Sequence, residues 1–338
     1  MTEEEICVGV IGGGRIGKLH VENIVKNFSN VKIKYLADIK TDHLEEWAKE
    51  MGIIKLTTDT SEIFEDAEVN AVLIFSSTDT HIKFIKQAAK AGKDIFCEKP
   101  IGSDIENIKE GLEIVEQNGV KLMIGFNRRF DHNFRRVRKA VDDGIVGDPH
   151  IIKITSRDPA PPPLDYVKVS GGLFFDMTIH DWDMARYLAN SEVKEVYATG
   201  QVLISDEIKG IDIDTAVAIL KYKDGSMCTI DNSRKAVYGY DQRIEVFGSK
   251  GATMAENDTP NNVVIYTDEA TKRDKMHHFF LERYTQSYID EMKEFLKCIE
   301  EDIEPPVTGK DGLKAVQIAM AAQKSLEENE PVELSEFE

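Results

Sequence analysis

The sequence predicts two domains: a doubly wound, parallel α/β domain of the Rossmann type over 1–126, and an α+β domain over 127–338 with a large, mostly antiparallel open sheet. Three observations predict this. Strand and helix signals alternate through the first 126 residues, runs of adjacent strands follow, and a glycine-rich turn sits at the first strand–helix junction. A chain of 338 residues is also long enough for two domains, each with its own core.

Ile6-Cys7-Val8-Gly9-Val10-Ile11 reads as a short buried strand, and Lys18 to Phe28 has helical spacing. Between them G-x-G-x-x-G occurs as Gly12-Gly13-Gly14-Arg15-Ile16-Gly17, in the strand–turn–helix setting that a dinucleotide fingerprint requires. Gly12 permits the tight turn, Gly14 lets the backbone approach a pyrophosphate, and Gly17 lets helix and strand pack closely. The helix N-terminus then offers N–H groups and a positive dipole end to the phosphates. A second strand, Val31 to Ala37, ends at Asp38, where an acid accepts hydrogen bonds from the adenosine ribose. Asp38 would repel a 2′-phosphate and Ile39-Lys40 offers no arginine to clamp one, so the expected cofactor is NAD rather than NADP.

Thr41 to Met51 reads as a helix capped by Thr41, and Ser61 to Asp66 as a short one. Asn70 to Phe75 is almost continuously apolar, as in a strand buried on both faces. It runs into Ser76-Ser77-Thr78-Asp79-Thr80, polar residues at the strand edge where open α/β sheets bind ligands. His81 to Ala91 is the next helix, and Lys93 to Cys97 is a strand leading into Glu98-Lys99-Pro100. Ser103 caps a helix reaching Asn118-Gly119, and Val120 to Phe126 closes the alternating half.

The pattern then changes. Arg128 to Asp143 reads as a helix and His150 to Ser156 as a strand; Asp158-Pro159-Ala160-Pro161-Pro162-Pro163 is a loop, since proline joins neither a ladder nor a helix interior. Strands are expected near 194–205, 213–222, 226–235, 242–248 and 262–266, with turns at Lys223-Asp224-Gly225 and Gly248-Ser249-Lys250-Gly251. Helices over Arg283 to Glu301 and Lys310 to Asn329 complete the chain.

A net charge of −19 argues against nucleic acid or an anionic membrane surface as a partner. Cys7, Cys97, Cys228 and Cys298 form no C-x-x-C pair and read as inert thiols of a reducing compartment. The acidic start, Met1 to Glu5, runs straight into a strand with no secretory signal, and no apolar run nears the ~20 residues that span a bilayer, so the expected location is the cytoplasm. No Cys/His/Asp grouping has metal spacing, and no metal is expected.

The strongest chemical signal is Gly171 to Leu188, read as one helix entered through two glycines. On a helical wheel Asp176, His180, Asp183 and Tyr187 fall within roughly 60° of arc. Phe175, Met177, Ile179, Trp182, Met184, Ala185 and Leu188 fill most of the rest, so the helix should be largely buried. An ionisable stripe there needs partners or a polar ligand; the alternative is a histidine held by its carboxylate neighbours. Lys99, ending a parallel strand, can reach the nicotinamide side of a bound dinucleotide, although alone it would be an ordinary exposed lysine. His20 reads as structural, while His81 reads equally well as structural or as approaching the cofactor.

At these residues the chain resembles the glucose–fructose oxidoreductase / inositol dehydrogenase family of NAD(P)-dependent enzymes. The shared pattern is the glycine turn at Gly12 to Gly17, Glu98-Lys99-Pro100, and a glycine pair leading to Asp-x-x-x-His at Gly171 to His180, and it spans essentially the whole chain. The inositol branch is resembled most, in Gly125 to Asp131, Ser156 to Pro159, Asp176 to Asp183 and Val237 to Arg243. The resemblance implies NAD-dependent oxidation of a cyclic polyol, first of all myo-inositol to its 2-ketone, with another inositol isomer or a sugar as alternative. It implies Lys99, Asp176 and His180 as the catalytic set. His180 would take the hydroxyl proton, Asp176 would orient it, and Lys99 would stabilise the alkoxide. The implied cofactor residues are Gly12, Gly14, Arg15, Ile16, Gly17, Asp38, Ser76, Thr78, His81, Glu98 and Lys99. A polyol pocket would add Arg129, Asp158, Asp183, Tyr238 and Tyr284 to the catalytic three. Asn127 and Asp158 differ from the residue types usual at their positions, which leaves the preferred stereoisomer open. A homotetramer built through the open sheet face is implied as well. An NAD-dependent glycosidase and a non-catalytic NAD- and sugar-binding regulator are the readings of other classes.

Overall fold

The computed structural model describes residues 5–338. The acidic residues Met1 to Glu4 lie outside the described residues. The chain divides into two compact units, one of residues up to Asn127 with Gln286–Val316, the other of Arg128–Thr285 with Gln317–Glu338. A linear division at 126/127 leaves Gln286–Val316 with the second domain, whereas here that segment folds with the first.

The first unit alternates β1(Ile6–Ile11), α1(Arg15–Asn27), β2(Val31–Ala37), α2(Glu45–Glu50), β3(Lys55–Thr57), α3(Ser61–Glu65), β4(Ala71–Ile74), α4(Thr78–Lys90), β5(Asp94–Glu98), α5(Ile105–Asn118) and β6(Leu122–Gly125). The strands form one parallel sheet in the order β3-β2-β1-β4-β5-β6, the doubly wound arrangement expected. β1, β4 and β6 are buried along their whole length, which is why they read as unbroken apolar runs. Four helix starts differ from expectation, the first being α1, which begins at Arg15 rather than Lys18. α2 begins at Glu45 rather than Thr41, and α4 already at Thr78. Asp104, not Ser103, caps α5, its side chain accepting from the Asn107 amide at 2.7 Å.

In the second unit, α6(His132–Asp142) is followed by β7(Pro149–Arg157), α7(Leu164–Val167), α8(Leu173–Asp176), α9(Ile179–Leu188), β8(Val193–Gln201), β9(Thr215–Tyr222), β10(Met227–Ser233), β11(Asp241–Gly248) and β12(Gly251–Ala255). A small hairpin, β13(Val264–Tyr266) with β14(Thr271–Arg273), comes next, then α10(Phe280–Arg283), α11(Thr285–Glu300), α12(Gly309–Glu328) and β15(Val332–Glu333). Of these, α11 and the start of α12 lie in the first unit. The large sheet runs β12-β11-β7-β10-β9-β8-β15, and only the β7–β10 pair is parallel. The expected helix from Arg128 starts instead at His132, because the Asp131 carboxylate accepts from the Asn133 and Phe134 amides at 3.0 Å. β12 and β14 were not expected as strands; both are short, and β14 is exposed throughout.

Along β9 burial alternates residue by residue. The face turned from the core exposes Val217, Ile219, Met227, Phe247 and Met254. All four cysteines are buried and unlinked. Among the described residues no helix is long and apolar enough to cross a membrane.

Candidate active site

In the first unit the glycine turn is built as its spacing requires. Gly12 sits at φ +104°, and a Cβ there would meet the Phe75 carbonyl carbon at 2.7 Å. A Cβ on Gly17 would lie 2.1 Å from the Gly12 oxygen, so this glycine lets α1 close on the turn. Gly14 differs: nothing lies within 4 Å of its missing Cβ. It is the N-cap of α1, makes no side-chain cap, and precedes Arg15 and Ile16 in the first turn. Open space before an uncapped helix N-terminus fits a pyrophosphate. Asp38 is fastened beside the turn, accepting from the Gly13 amide at 2.7 Å and the Lys40 amide at 2.9 Å. These residues fit a dinucleotide with a free 2′-hydroxyl.

At the end of β4, Ser76 Oγ and Thr80 Oγ1 are 2.7 Å apart, and Thr78 opens α4 half-buried. His81 is fully buried, with Nδ1 2.7 Å from the Pro100 oxygen and Nε2 2.9 Å from the Ser76 oxygen. Burial holds its pKa below the ordinary value. A neutral ring has one N–H, so it lies between the Ser76 loop and the turn after Lys99 and donates to one of the two carbonyls. Lys99 follows β5 directly and is half-buried; its amide donates to Glu98 Oε2 at 3.2 Å.

In the second unit, one expectation needs correction. No single helix runs from 171 to 188: α8 ends at Asp176 and α9 starts at Ile179. The Thr178 amide reaches back five residues to the Leu173 oxygen at 2.9 Å, and its hydroxyl donates to Asn232 Oδ1 on β10 at 2.8 Å. The regular i→i+4 ladder stops there, and Asp176 and His180 sit on successive helices instead of one stripe. The glycine entry is as expected, with Gly171 at φ +83° and Gly172 at φ +87°, and Asp212 Oδ1 accepting the Leu173 amide at 3.0 Å. The apolar side of α9 is buried, through Ile179, Trp182, Met184, Ala185 and Leu188.

Asp176 Oδ2 lies 2.9 Å from Arg234 Nη2, and its Oδ1 accepts from the Tyr166 hydroxyl at 2.7 Å. Arg234 also reaches Asp158 at 3.5 Å and so gathers two acids around one cation. Burial pushes the Asp158 carboxyl up to about 6, opposed by Arg234 and assisted by the Asp176 charge. His180 is half-buried on the first turn of α9. Asp183 is buried and takes a two-pronged bond from Arg129, at 2.8 and 2.6 Å. The Arg129 guanidinium also lies 5.3 Å over the Tyr187 ring. Tyr284 is 1% exposed and sits against Arg128 and Arg283; its hydroxyl has no hydrogen-bond partner among the described residues, and burial pushes its pKa up to about 12. Tyr238 is half exposed, its hydroxyl accepting from Arg157 at 3.0 Å and donating to Asp241 at 2.8 Å.

Sequence reasoning missed the charge beneath this set. Arg128 and Asp181 pair at 2.5 Å with both side chains buried, and Asn232 donates to the other Asp181 oxygen at 2.8 Å. Asp181 follows His180 directly in an otherwise apolar flank, which was the signal available. Arg128 and Arg234 read like surface arginines and gave none. Two acid–histidine triplets close enough for a cation also form, His20/Glu98/Glu291 and Asp131/His132/Asp258. The first triplet comes from three distant positions, and in the second the adjacent Asp131 and His132 are completed only by the distant Asp258, so no spacing rule finds either. In the second triplet Arg283 already pairs with both Asp131 and Asp258.

Two family models match the chain: an oxidoreductase family with an NAD-binding Rossmann fold over residues 6–126, and the GFO/IDH/MocA C-terminal domain over 134–254. Myo-inositol 2-dehydrogenase of Thermotoga maritima is 48% identical over 330 residues, 97% of this chain and 98% of that protein. The chain belongs to the GFO/IDH/MocA oxidoreductase family. Inositol 2-dehydrogenase of Rhizobium meliloti is 45% identical, covering 97% of this chain and 98% of that one. The structure of scyllo-inositol dehydrogenase from Lactobacillus casei, with bound NAD(H) and scyllo-inositol, superposes with a TM-score of 0.92 at 32% identity, over 98% of this chain and 100% of that chain. As a GFO/IDH/MocA oxidoreductase the protein acts on a CH–OH group, and its parallel sheet is an NAD-binding domain.

Proposed function

We propose that this chain oxidises a secondary hydroxyl of a cyclic polyol with NAD, and that myo-inositol is its substrate. The observation that carries the reading is that Asp176, held by Arg234, and the half-buried His180 stand on successive helices of a unit whose interior carries paired charges and, among the described residues, the unpartnered buried hydroxyl of Tyr284, on a chain with an intact NAD turn. The 48% identity to a myo-inositol 2-dehydrogenase supports the choice of substrate.

Gly12, Gly14, Arg15, Ile16 and Gly17 hold the pyrophosphate of NAD, Asp38 its adenosine ribose, and Ser76, Thr78, His81, Glu98 and Lys99 the remainder. When bound, NAD supplies the hydride acceptor. His180 takes the proton from the reacting hydroxyl, a task suited to imidazole near neutral pH. Asp176, held by Arg234 and Tyr166, orients that proton acceptor and offsets its developing charge. The Lys99 ammonium stabilises alkoxide character on the same oxygen. Arg129, Asp158, Asp183, Tyr238 and Tyr284 receive the other ring hydroxyls by hydrogen bonding, and the Tyr284 hydroxyl gains the partner it lacks within the protein.

We infer as well a cytoplasmic homotetramer acting in inositol breakdown. Five apolar side chains on the outer sheet face support assembly through that face, and four unlinked thiols support a reducing compartment.

The test is a panel of inositol isomers and aldoses, with NAD or NADP, followed by absorbance of the reduced cofactor. The expected result is sustained NADH formation with myo-inositol and a clear preference over NADP. Preference for scyllo-inositol, which the Lactobacillus casei relative binds, would change the isomer but keep the reaction. No reduction with any polyol, alongside release of an aglycone from a glycoside or ligand binding without turnover, would replace the reading.

A further inference from the structure

Inside the first unit, His20 of α1, Glu98 at the end of β5 and Glu291 of α11 meet, three ionisable side chains from three separate elements. His20 and Glu291 are fully buried and Glu98 is 6% exposed. The His20 ring stacks flat on Phe75, with centroids 4.4 Å apart and planes at 4°, and meets Phe96 and Tyr288 edge-on. Held this way, its Nε2 lies 2.8 Å from Glu98 Oε1 and 3.8 Å from Glu291 Oε1. The other Glu98 oxygen, Oε2, accepts the Lys99 amide at 3.2 Å. Neither Glu291 oxygen has a hydrogen-bond partner among the described residues.

Apolar side chains would fill this space at lower cost than three titratable ones. What they could not do is accept on two sides at once. The Glu98 carboxylate accepts from His20 with one oxygen and from the Lys99 amide with the other, so it links the helix behind the glycine turn to the residue that faces the reaction.

We propose that His20, Glu98 and Glu291 form a buried clamp that positions Lys99, with Glu98 as the bridging carboxylate. Glu291 serves it as a neutral acid: burial, then the Glu98 charge, drives its carboxyl well above the ordinary range. An ionised Glu291 would place a second anion beside Glu98 with only His20 to balance both. The rings around His20 add no further strong ligand, which favours a protonated Glu291 over a divalent cation at these three groups. The proposal rests on the reading of Lys99 as the alkoxide-stabilising group.

The test combines a double-mutant cycle with amide exchange in the cofactor-free protein. In Glu98→Gln one of the two acceptors becomes a donor, so the side chain can no longer accept from both the His20 Nε2–H and the Lys99 amide. Its kcat should fall about tenfold or more. In a Lys99→Ala background the same change should alter kcat less than about twofold, since the group being positioned is gone. Hydrogen exchange at the Lys99 amide should quicken about tenfold in Glu98→Gln. Glu291→Ala should also lower kcat, and Glu291→Gln, which keeps the shape and neutrality of the acid, should restore it. Equal losses with and without Lys99, unchanged exchange at its amide, a Glu291→Gln variant as poor as Glu291→Ala, or one bound metal ion per chain by elemental analysis would each overturn the clamp. Normal turnover by Lys99→Ala would overturn the reading of Lys99 instead, and the exchange result would still judge the clamp.

Discussion

The turn after β1 and the α8–α9 pair, the two regions proposed to bind cofactor and substrate, handle charge in opposite ways. Around Gly14 the proposed binding groups belong to the main chain at an uncapped helix start with open space beside the Gly14 Cα, and Asp38 is anchored by two amides. Around α9 the binding groups are side chains whose charges are largely paired: Arg128 with Asp181, Arg129 with Asp183, Arg234 with Asp176 and Asp158. A backbone site stays intact when one side chain changes. A site of buried pairs does not, because removing one partner strands the other in a low-dielectric interior.

The sharpest way to break the contrast is Asp181→Ala. It leaves the buried Arg128 guanidinium without its carboxylate and should destabilise the second unit by about 3–5 kcal/mol in urea unfolding. A loss below about 1 kcal/mol would mean that the pairs are not what holds this interior.

Asp158 gives a smaller effect with a defined sign. Its folded pKa, about 6, stands above the ordinary 3.8, so the folded chain binds this proton more tightly than the unfolded chain. The contribution is present below the unfolded value and is lost as pH rises through about 6. Relative to Asp158→Asn, the parent should therefore lose about 2 kcal/mol of stability between pH 4 and pH 7. Unfolding curves for both chains at each pH decide it; a constant difference contradicts a protonated Asp158 at low pH.

The smallest change belongs to the backbone site. Gly14→Ala adds a methyl group into open space, so the cofactor-free chain should melt at the parent temperature. NAD affinity should still fall about tenfold, because that methyl group enters the phosphate space. Gly17→Ala should instead lower the melting temperature itself, since its Cβ falls 2.1 Å from the Gly12 oxygen. If Gly14→Ala bound NAD normally, the open space would not be the pyrophosphate cradle.

The same contrast decides what could be read in the amino-acid order. The glycine turn, the parallel strands and Asp38 are local features whose spacing states their geometry, and each stands where expected. Pairing across the molecule carries no such spacing. Arg234 finds Asp176 from 58 residues away and Arg128 finds Asp181 from 53, and in sequence both arginines look solvated. The break between α8 and α9 was hidden for a related reason, because Thr178 leaves the helical pattern through a bond to Asn232 on a distant strand. The alternation of the strands in the second unit was readable, but the return of Gln286–Val316 to the first unit was not, since an amphipathic helix does not say which sheet it will cover.

His180, proposed to take the substrate proton, is tested most directly by His180→Ala measured across pH 6–10 with saturating NAD and myo-inositol. The predicted result is a kcat lower by about 10²–10⁴, NAD affinity unchanged, and loss of the rise in oxidation rate across neutral pH. Near-normal turnover with the parent pH profile would contradict the claim and leave His180 a structural residue of α9.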